Sequence, residues 1–198
     1  MSALVIVDRP HSGKPDRVRD LGCWSDLNGD GKADQDEQEA VISAKYALAI
    51  ECELRELDRL VIPMSDGVYS ARHARANSYA GDYTRCVYLT CHVNAGGGSY
   101  ATTFYDARSA TGPDLAKRIA SALSFPTLAN SHARACSGAK NARAYSCVKG
   151  LTRPIGIVLE PFFLDGPHAG IHASTSGLQR IGQSVASAVH QFLLPLGE

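Results

Sequence analysis

Short apolar runs alternate along this chain with longer stretches in which apolar residues recur every three or four positions. The runs are rich in β-branched and aromatic residues, as is typical of buried strands, and they cover residues 3–7, 60–63, 86–91, 100–105 and 154–159. Helical periodicity and helix-start residues predict helices over about 38–57, 70–79, 113–123 and 178–192. This alternation predicts an α/β fold with a twisted, mainly parallel sheet and helices on both faces.

One stretch has no clear period. Between residues 125 and 150, Asn, Ser, Arg, Ala and Cys are mixed, which predicts loops and at most one short strand, over 145–148. Pro195 is predicted to end the last helix. No internal repeat or linker interrupts the chain, so we expect a single domain over residues 1–198.

The composition excludes several classes of protein. The chain has 198 residues, 44% of them hydrophobic, and its 20 basic and 20 acidic residues give no support for nucleic-acid binding. No apolar run approaches the ~18 residues of a membrane helix. The first run is short and lacks a preceding basic region, so we expect no signal peptide and synthesis in the cytoplasm. The six cysteines have no paired metal spacing, and we expect them to be reduced.

Three predicted strands end in a residue that can bind a metal or transfer a proton. His11 follows the first strand, His92 follows the central one and precedes three glycines, and Glu160 closes the last. Ligands of parallel α/β sheets bind beyond the carboxyl ends of the strands, so we expect these side chains to meet there. A single histidine after a strand is more often a hydrogen-bonding loop residue. Three such endings in one small domain indicate a common site.

The remaining histidines have less support as ligands. We interpret His73, His132 and His190 as structural or surface residues. His168 and His172 are four residues apart and would face the same side of a helix, but the neighbouring glycines and proline favour a loop. We therefore do not assign this pair to a metal.

An acidic stretch at residues 26–37 matches the twelve-residue calcium loop of EF-hand proteins at every coordinating position. The ligands would be the side chains of Asp26, Asn28, Asp30, Asp34 and Glu37 and the backbone carbonyl of Lys32, with Gly31 at the sharp turn. Ala33 departs from the pattern, and no second loop is present to pair with the first. The alternative is an acidic turn that only resembles the motif. We expect a solitary calcium site in an insertion, which would order it and fix the start of the next helix.

A glutamate in the first turn of that helix would complete a zinc site with His11 and His92. Glu37 and Glu39 are both candidates, and on a helix they project about 200° apart, so they can serve two different metals. The helix dipole alone also favours a carboxylate there. A His-His-Glu zinc site with an open fourth position is a common catalytic arrangement, in which zinc lowers the pKa of water from about 15.7 to about 7. Glu160 would then be the general base and later the general acid.

Several motifs follow one another along the chain: Val5-Ile6-Val7-Asp8 leading to His11-Ser12-Gly13, Glu39 at the head of a helix, Arg75-Ala76-Asn77, His92-Val93-Asn94-Ala95, and Leu159-Glu160-Pro161-Phe162-Phe163-Leu164-Asp165. Together they resemble the zinc-dependent N-acetylmuramoyl-L-alanine amidases of the amidase-3 type, which include many phage endolysins and bacterial autolysins. The resemblance covers nearly the whole chain. It implies cleavage of the amide between the lactyl group of muramic acid and L-alanine in peptidoglycan, with zinc held by His11, Glu39 and His92 and with Glu160 as the catalytic acid and base.

Two features depart from that family. Pro10 stands where the family usually has glycine, and the segment after His11, usually short, contains the calcium-like loop. This insertion leaves both Glu37 and Glu39 eligible as the second ligand. We choose Glu39 because Ala47, eight residues later, then falls where the family's helix has a small apolar residue. That choice also leaves Glu37 free for calcium.

Two other functions fit the same residues. One is a zinc peptidase that acts within peptidoglycan stem peptides, and the other is a non-catalytic, calcium-dependent module that binds the cell wall. Without a signal peptide or a wall-binding module, we expect a phage lysis enzyme released through holin pores rather than a secreted autolysin. We expect a protein that acts on bacterial peptidoglycan and has no nucleic-acid or membrane partner; the sequence does not determine its oligomeric state, for which a monomer is the default.

Overall fold

A computed structural model of the protein describes residues 2–11, 22–28, 30–32 and 34–194. Within these ranges the strands are β1 (Ala3–Asp8), β2 (Leu60–Met64), β3 (Arg85–Cys91), β4 (Thr102–Asp106), β5 (His132–Cys136) and β6 (Ile155–Glu160). The helices are α1 (Glu39–Glu56), α2 (Tyr69–Tyr79), α3 (Gly112–Ala122), α4 (Ala142–Ser146), α5 (Ala169–Ala173) and α6 (Thr175–Leu193). Short 3₁₀ turns cover Gln35–Glu37 and Ala80–Asp82. Gly29, Ala33 and Pro195 of the sequence predictions, and the Ser12-Gly13 pair, lie outside the described residues.

The six strands form one sheet in the order β2-β1-β3-β6-β4-β5. All neighbouring strands run parallel except β4, which is antiparallel to β6. The predicted α/β fold with a mainly parallel sheet is therefore confirmed. Because β1, β3 and β6 are adjacent and parallel, the residues that follow them lie at the same edge of the sheet.

Helices cover both faces of the sheet, as predicted. Alternate strand residues such as Val5, Val87 and Ile157 point toward α1, α3 and α6 and belong to the larger apolar core. The intervening residues, such as Ile6 and Tyr88, pack with α2 and α4 in a smaller core. A strand buried on both faces has to be apolar at consecutive positions, which is why these strands read as unbroken apolar runs.

The structure corrects the prediction for residues 125–150. This stretch contains strand β5 and helix α4, and the strand predicted over 145–148 is absent because those residues form the end of α4 and the turn after it. Cys147 and Val148 are buried, so their apolar character reflects packing beneath the turn and not a strand. β5 pairs with β4 alone, and an edge strand needs no continuous apolar sequence. The loop expected around His168 and His172 likewise contains the short helix α5.

None of the helices in the described ranges combines the length and the apolar character that a membrane span requires. All six cysteines are free thiols.

Candidate active site

The structure brings His11, Glu39 and His92 together at the carboxyl edge of the sheet. Nε2 of His11 lies 2.9 Å from Oε1 of Glu39, and Nδ1 of His92 lies 3.1 Å from the same oxygen. The two imidazole rings meet edge to face with 5.1 Å between their centroids. In the part of the chain that the structure describes, this is the set of three His, Cys, Asp or Glu residues whose ligand atoms all lie within 4.8 Å of one another.

Backbone groups fix the carboxylate of Glu39 at the first position of α1. Its Oε2 accepts a hydrogen bond from the backbone N–H of Cys23 at 3.0 Å, and its Oε1 accepts one from Val93 at 3.1 Å. The backbone N–H of Glu39 in turn donates to the carbonyl of Cys23 at 2.8 Å. Glu39 therefore ties the segment before α1 to the segment after β3, and its side chain has little freedom to turn away from the histidines.

His92 is held by contacts on its backbone and on its second ring nitrogen. Its carbonyl accepts a hydrogen bond from the Tyr46 hydroxyl at 2.7 Å, and its N–H donates to Leu159 in β6 at 2.9 Å. Nε2 lies 3.1 Å from the Tyr69 hydroxyl and 3.6 Å from the sulfur of Cys147. These partners on Nε2 leave Nδ1 directed at Glu39. Partners of this kind set the orientation and the tautomer of metal-ligating histidines.

A buried ion pair anchors the end of β1, three residues before His11. Asp8 and Arg72 are both fully buried, and Nη1 of Arg72 lies 2.8 Å from Oδ1 of Asp8. The other carboxylate oxygen accepts a hydrogen bond from Thr90 in β3 at 2.9 Å, and Arg72 also donates to the carbonyl of Arg9 at 3.0 Å. Because an unpaired buried charge costs several kcal/mol, about 3–5 when one partner is removed, this pair holds α2 against the strands that carry the site.

The three side chains fit a zinc ion. Two imidazole nitrogens and a carboxylate oxygen are a common donor set for catalytic zinc. Ligand atoms about 2.0–2.1 Å from a tetrahedral zinc lie about 3.3 Å from one another, close to the 2.9 and 3.1 Å that separate these nitrogens from Glu39. Little movement would be needed to admit the ion.

Glu39 is ready to bind a metal, whereas His92 would have to lose a proton to do so. Burial acts to raise the pKa of Glu39, but the hydrogen bonds and charges of His11 and His92 outweigh it and hold this pKa far below the usual range. Burial acts to lower the pKa of His92, yet hydrogen bonds with Cys147 and Glu39 raise it to about 10. A metal ligated by Nδ1 has to displace that proton, so metal uptake should release acid.

Glu160 ends β6 and lines the same cavity of about 760 Å³ as His11, Glu39 and His92. Burial raises the pKa of its carboxyl group to about 7. Its side chain makes no hydrogen bond to any described residue. A carboxyl group that titrates near neutral pH and has no fixed partner can both accept and return a proton.

The structure places the other candidate glutamate elsewhere. Glu37 is buried, and its Oε1 accepts hydrogen bonds from the backbone N–H groups of Leu27 at 2.8 Å and Asn28 at 2.9 Å. It closes the acidic loop and does not join the His11–Glu39–His92 set.

Side chains of the acidic loop accept hydrogen bonds from its own backbone. Asp26 accepts from the N–H groups of Asp30 at 3.1 Å and Gly31 at 2.7 Å, and Asp30 accepts from Lys32 at 2.9 Å. Asp34 accepts a hydrogen bond from the Asn28 amide at 3.0 Å. Both a calcium loop and an acidic turn are compatible with these contacts, so calcium binding stays a prediction.

The remaining histidines lie outside the site or support it. His172 is buried, stacks on Phe125 and contacts Thr127, and burial lowers its pKa to about 4. His190 accepts a hydrogen bond from Arg59 at 3.1 Å. His73 stacks on Tyr69, and its Nε2 lies 2.8 Å from the carbonyl of Cys147.

Sequence reasoning missed three residues that line the cavity. Tyr69 was outside the predicted helix, Cys147 was assigned to a strand, and Arg143 fell in the stretch predicted as loops. Asn77, the last residue of the Arg75-Ala76-Asn77 motif, fixes the segment before β6: its amide donates to the carbonyl of Gly150 at 2.9 Å, and its Oδ1 accepts from the N–H of Thr152 at 2.8 Å. No sequence pattern marks Tyr69, Cys147 or Arg143 as cavity residues, because their position in the cavity comes from tertiary contacts.

No protein-family model and no curated protein matches this sequence. Solved structures do match. An N-acetylmuramoyl-L-alanine amidase from Clostridium difficile 630 superposes with a TM-score of 0.74 at 17% identity, over 99% of both chains. Cwp6 from the same species gives 0.74 at 19% identity over 98% of this chain, which spans 29% of the length of Cwp6. The catalytic domain of the CD27L endolysin targeting Clostridia difficile gives 0.67 at 18% identity, over 96% of this chain and 97% of that domain. These likenesses show that the chain has the fold of N-acetylmuramoyl-L-alanine amidases.

Proposed function

We propose that this protein is a zinc-dependent N-acetylmuramoyl-L-alanine amidase. The observation that carries the proposal is the convergence of His11, Glu39 and His92 in one cavity with Glu160, a carboxyl group whose pKa is raised to about 7. The shared fold with structures titled as such amidases supports the choice of substrate.

His11, Glu39 and His92 would hold the ion through Nε2, Oε1 and Nδ1. Bound there, zinc would supply Lewis-acid chemistry that acidifies water and polarises a carbonyl. The fixed carboxylate of Glu39 would hold the two imidazoles beside the ion, and the Tyr69 hydroxyl would accept a hydrogen bond from Nε2–H of His92.

Glu160 would move the proton. Its carboxylate would take a proton from the attacking water as the water oxygen bonds to the lactyl carbonyl carbon. It would then give this proton to the L-alanine nitrogen as the carbon–nitrogen bond breaks. The products are a lactyl carboxylic acid on the glycan and a free amino group on the stem peptide.

Replacement of Glu160 tests this role. Glu160→Gln keeps the shape of the side chain but cannot accept the proton, so we expect wall lysis to fall by about 10²–10⁴-fold while zinc content is unchanged. Glu56→Gln, an exposed change at the end of α1, serves as the matched control. Turbidity loss of purified cell walls gives the rate, and a Glu160→Gln variant as lytic as the control would refute the assignment.

Product analysis separates the amidase from a zinc peptidase. Mass spectrometry of digested peptidoglycan should find intact stem peptides that begin with a free L-alanine amino group. New amino termini within the stem would instead identify the peptidase. Binding to walls without any new terminus would identify a non-catalytic module.

We also propose a calcium ion in the loop at residues 26–37 and a role in phage lysis, with release through holin pores. The loop directly precedes α1 and Glu39, so calcium there would stabilise the start of the helix that carries a predicted zinc ligand. The proposed substrate is bacterial peptidoglycan, and a monomer is the default oligomeric state.

A further inference from the structure

Two exposed arginines belong to residues 125–150, the stretch that has no clear sequence period. Arg143 belongs to α4, is exposed and lines the cavity with Glu160. Arg134 lies in β5 and is also exposed. Neither guanidinium forms an ion pair or a side-chain hydrogen bond with another described residue. Arg72 and Arg108, by contrast, are each paired with an aspartate.

Strand register places Arg134 on the same face of the sheet as Glu160. Arg134 is opposite Phe104 in β4, and Phe104 is opposite Val158 in β6. Opposite residues of neighbouring strands share a face, and Glu160 shares it with Val158 because the two are two positions apart. Helix α4, which carries Arg143, packs against β4 and β5. Both guanidinium groups therefore lie on the side of the sheet where the cavity opens.

The charges of both arginines reach Glu160. Burial raises the pKa of Glu160, and the positive charges of His92, Arg143 and Arg134 oppose that rise. Neither arginine comes within ion-pair distance of Glu160 itself. Arg143 lines the cavity and Arg134 lies on the same face of the sheet, so both cations are available to an anion that the substrate brings.

From this placement we propose that Arg143 and Arg134 form a carboxylate subsite for the leaving peptide, on the L-alanine side of the scissile amide. The inference rests on the amidase function proposed above. The muramic acid lactyl carboxyl group is consumed in the scissile amide and the acetylated sugars are neutral, so the nearest substrate anion is a carboxylate of the stem peptide. The planar guanidinium group matches a carboxylate with two parallel hydrogen bonds, which lysine cannot offer.

A pair of synthetic substrates isolates this contact. N-acetylmuramoyl-L-alanyl-D-glutamic acid, with its γ-carboxyl group blocked as the amide and its α-carboxylate free, is compared with the same compound carrying an α-carboxamide. We expect kcat/KM to favour the free acid roughly tenfold, the size of one charge-assisted contact, with the difference mainly in KM. Arg143→Ala should remove most of this preference, Arg134→Ala should reduce it, and Arg143→Lys should restore only part. Lys140→Ala, an exposed charge change in the turn before α4, should leave the preference intact.

A binding measurement gives a second readout that needs no turnover. Calorimetry of the two compounds with Glu160→Gln should show tighter binding of the free acid, and adding Arg143→Ala should remove most of the difference. Equal kcat/KM values and equal affinities for the two compounds would overturn the subsite, even if both are cleaved at the muramoyl–alanine bond. Cleavage of neither compound at that bond would instead overturn the amidase function, while the binding difference would still decide on the subsite.

Discussion

Two neighbouring regions of this protein are predicted to bind a metal: the His11–Glu39–His92 set and the acidic loop at residues 26–37. They are built in different ways. The His11–Glu39–His92 set draws its donors from three separate elements, and Glu39 is held there by backbone N–H groups of Cys23 and Val93. The loop at residues 26–37 draws its donors from one continuous segment that is mostly exposed. The fold itself fixes the first arrangement, whereas the second depends on hydrogen bonds within the loop.

This difference predicts how each region responds to an ion. A site whose donor atoms are already held in place by the fold should bind its metal tightly. Metal binding there should change the conformation of the surrounding residues little. A local loop gains its order from the ion, so its metal should bind more weakly and act mainly on stability. Glu37 and Glu39 are two residues apart and belong to different regions, which makes them a matched pair for testing the distinction.

The largest effect is expected from Glu39→Gln. Removing the anionic oxygen shared by both imidazoles should weaken zinc binding by about 100-fold or more and abolish lysis. Glu37→Gln should leave zinc affinity within a few-fold of the unmodified protein. Competition against a chromogenic chelator measures the zinc affinity of both variants. An equal loss of zinc affinity in the two would contradict the assignment of Glu39 to the zinc site and Glu37 to the loop.

Calcium should stabilise the protein through the loop alone. A ligand that binds only the folded state adds about 2.7 kcal/mol at a hundredfold excess over its dissociation constant. Titration of calcium into chelated protein should therefore raise the melting temperature, and Glu37→Gln should remove most of that rise. If millimolar calcium leaves the melting temperature of the unmodified protein unchanged, the loop is an acidic turn and the calcium assignment is wrong.

The pH dependence of activity tests Glu160. Burial raises its pKa to about 7, and only the deprotonated form can accept a proton from water. We therefore expect kcat/KM to fall about tenfold for each pH unit below that value. Since the folded protein favours the protonated form, the stability that Glu160 contributes is present at acid pH and is lost as the pH rises through about 7. In zinc-free protein, Glu160→Gln should thus be stabilising at pH 8. An activity profile flat from pH 5 to 8 would contradict this role.

The smallest effect is expected from Tyr69→Phe. The Tyr69 hydroxyl contacts Nε2 of His92 at 3.1 Å, and loss of such a partner typically lowers metal affinity about 10-fold or more. Tyr79→Phe, an exposed position on the same helix, is the control. Zinc affinity is the readout, and identical affinities would show that His92 does not need Tyr69 for its orientation.

The sequence predicts the elements that are buried on both faces or are long enough to show a period, and it misses the short elements and the edge strand. The central strands β1, β3 and β6 were predicted because a strand covered on both faces must be apolar throughout. β5 was missed because it pairs on one side only, and its sequence His-Ala-Arg-Ala-Cys carries no apolar run. Helix α4 was missed because five residues are too few for a helical period to appear.

The residues of the candidate site also differ in how far the sequence predicts them. His11, His92 and Glu160 were found because each follows a predicted strand, and parallel strands end at one edge. Choosing between Glu37 and Glu39 needed a family resemblance, since the two are only two residues apart at the predicted start of the helix. Tyr69 and Cys147 could not be found, because they reach His92 from elements that the sequence does not show to be neighbours.

The most direct test of the zinc site is the metal content of purified, lytically active protein, measured by inductively coupled plasma mass spectrometry. We expect one zinc per chain in the unmodified protein, and loss of both zinc and lysis in His92→Ala. Active protein that contains no transition metal, or a His92→Ala variant that keeps its zinc, would contradict the proposal that His11, Glu39 and His92 hold a catalytic ion.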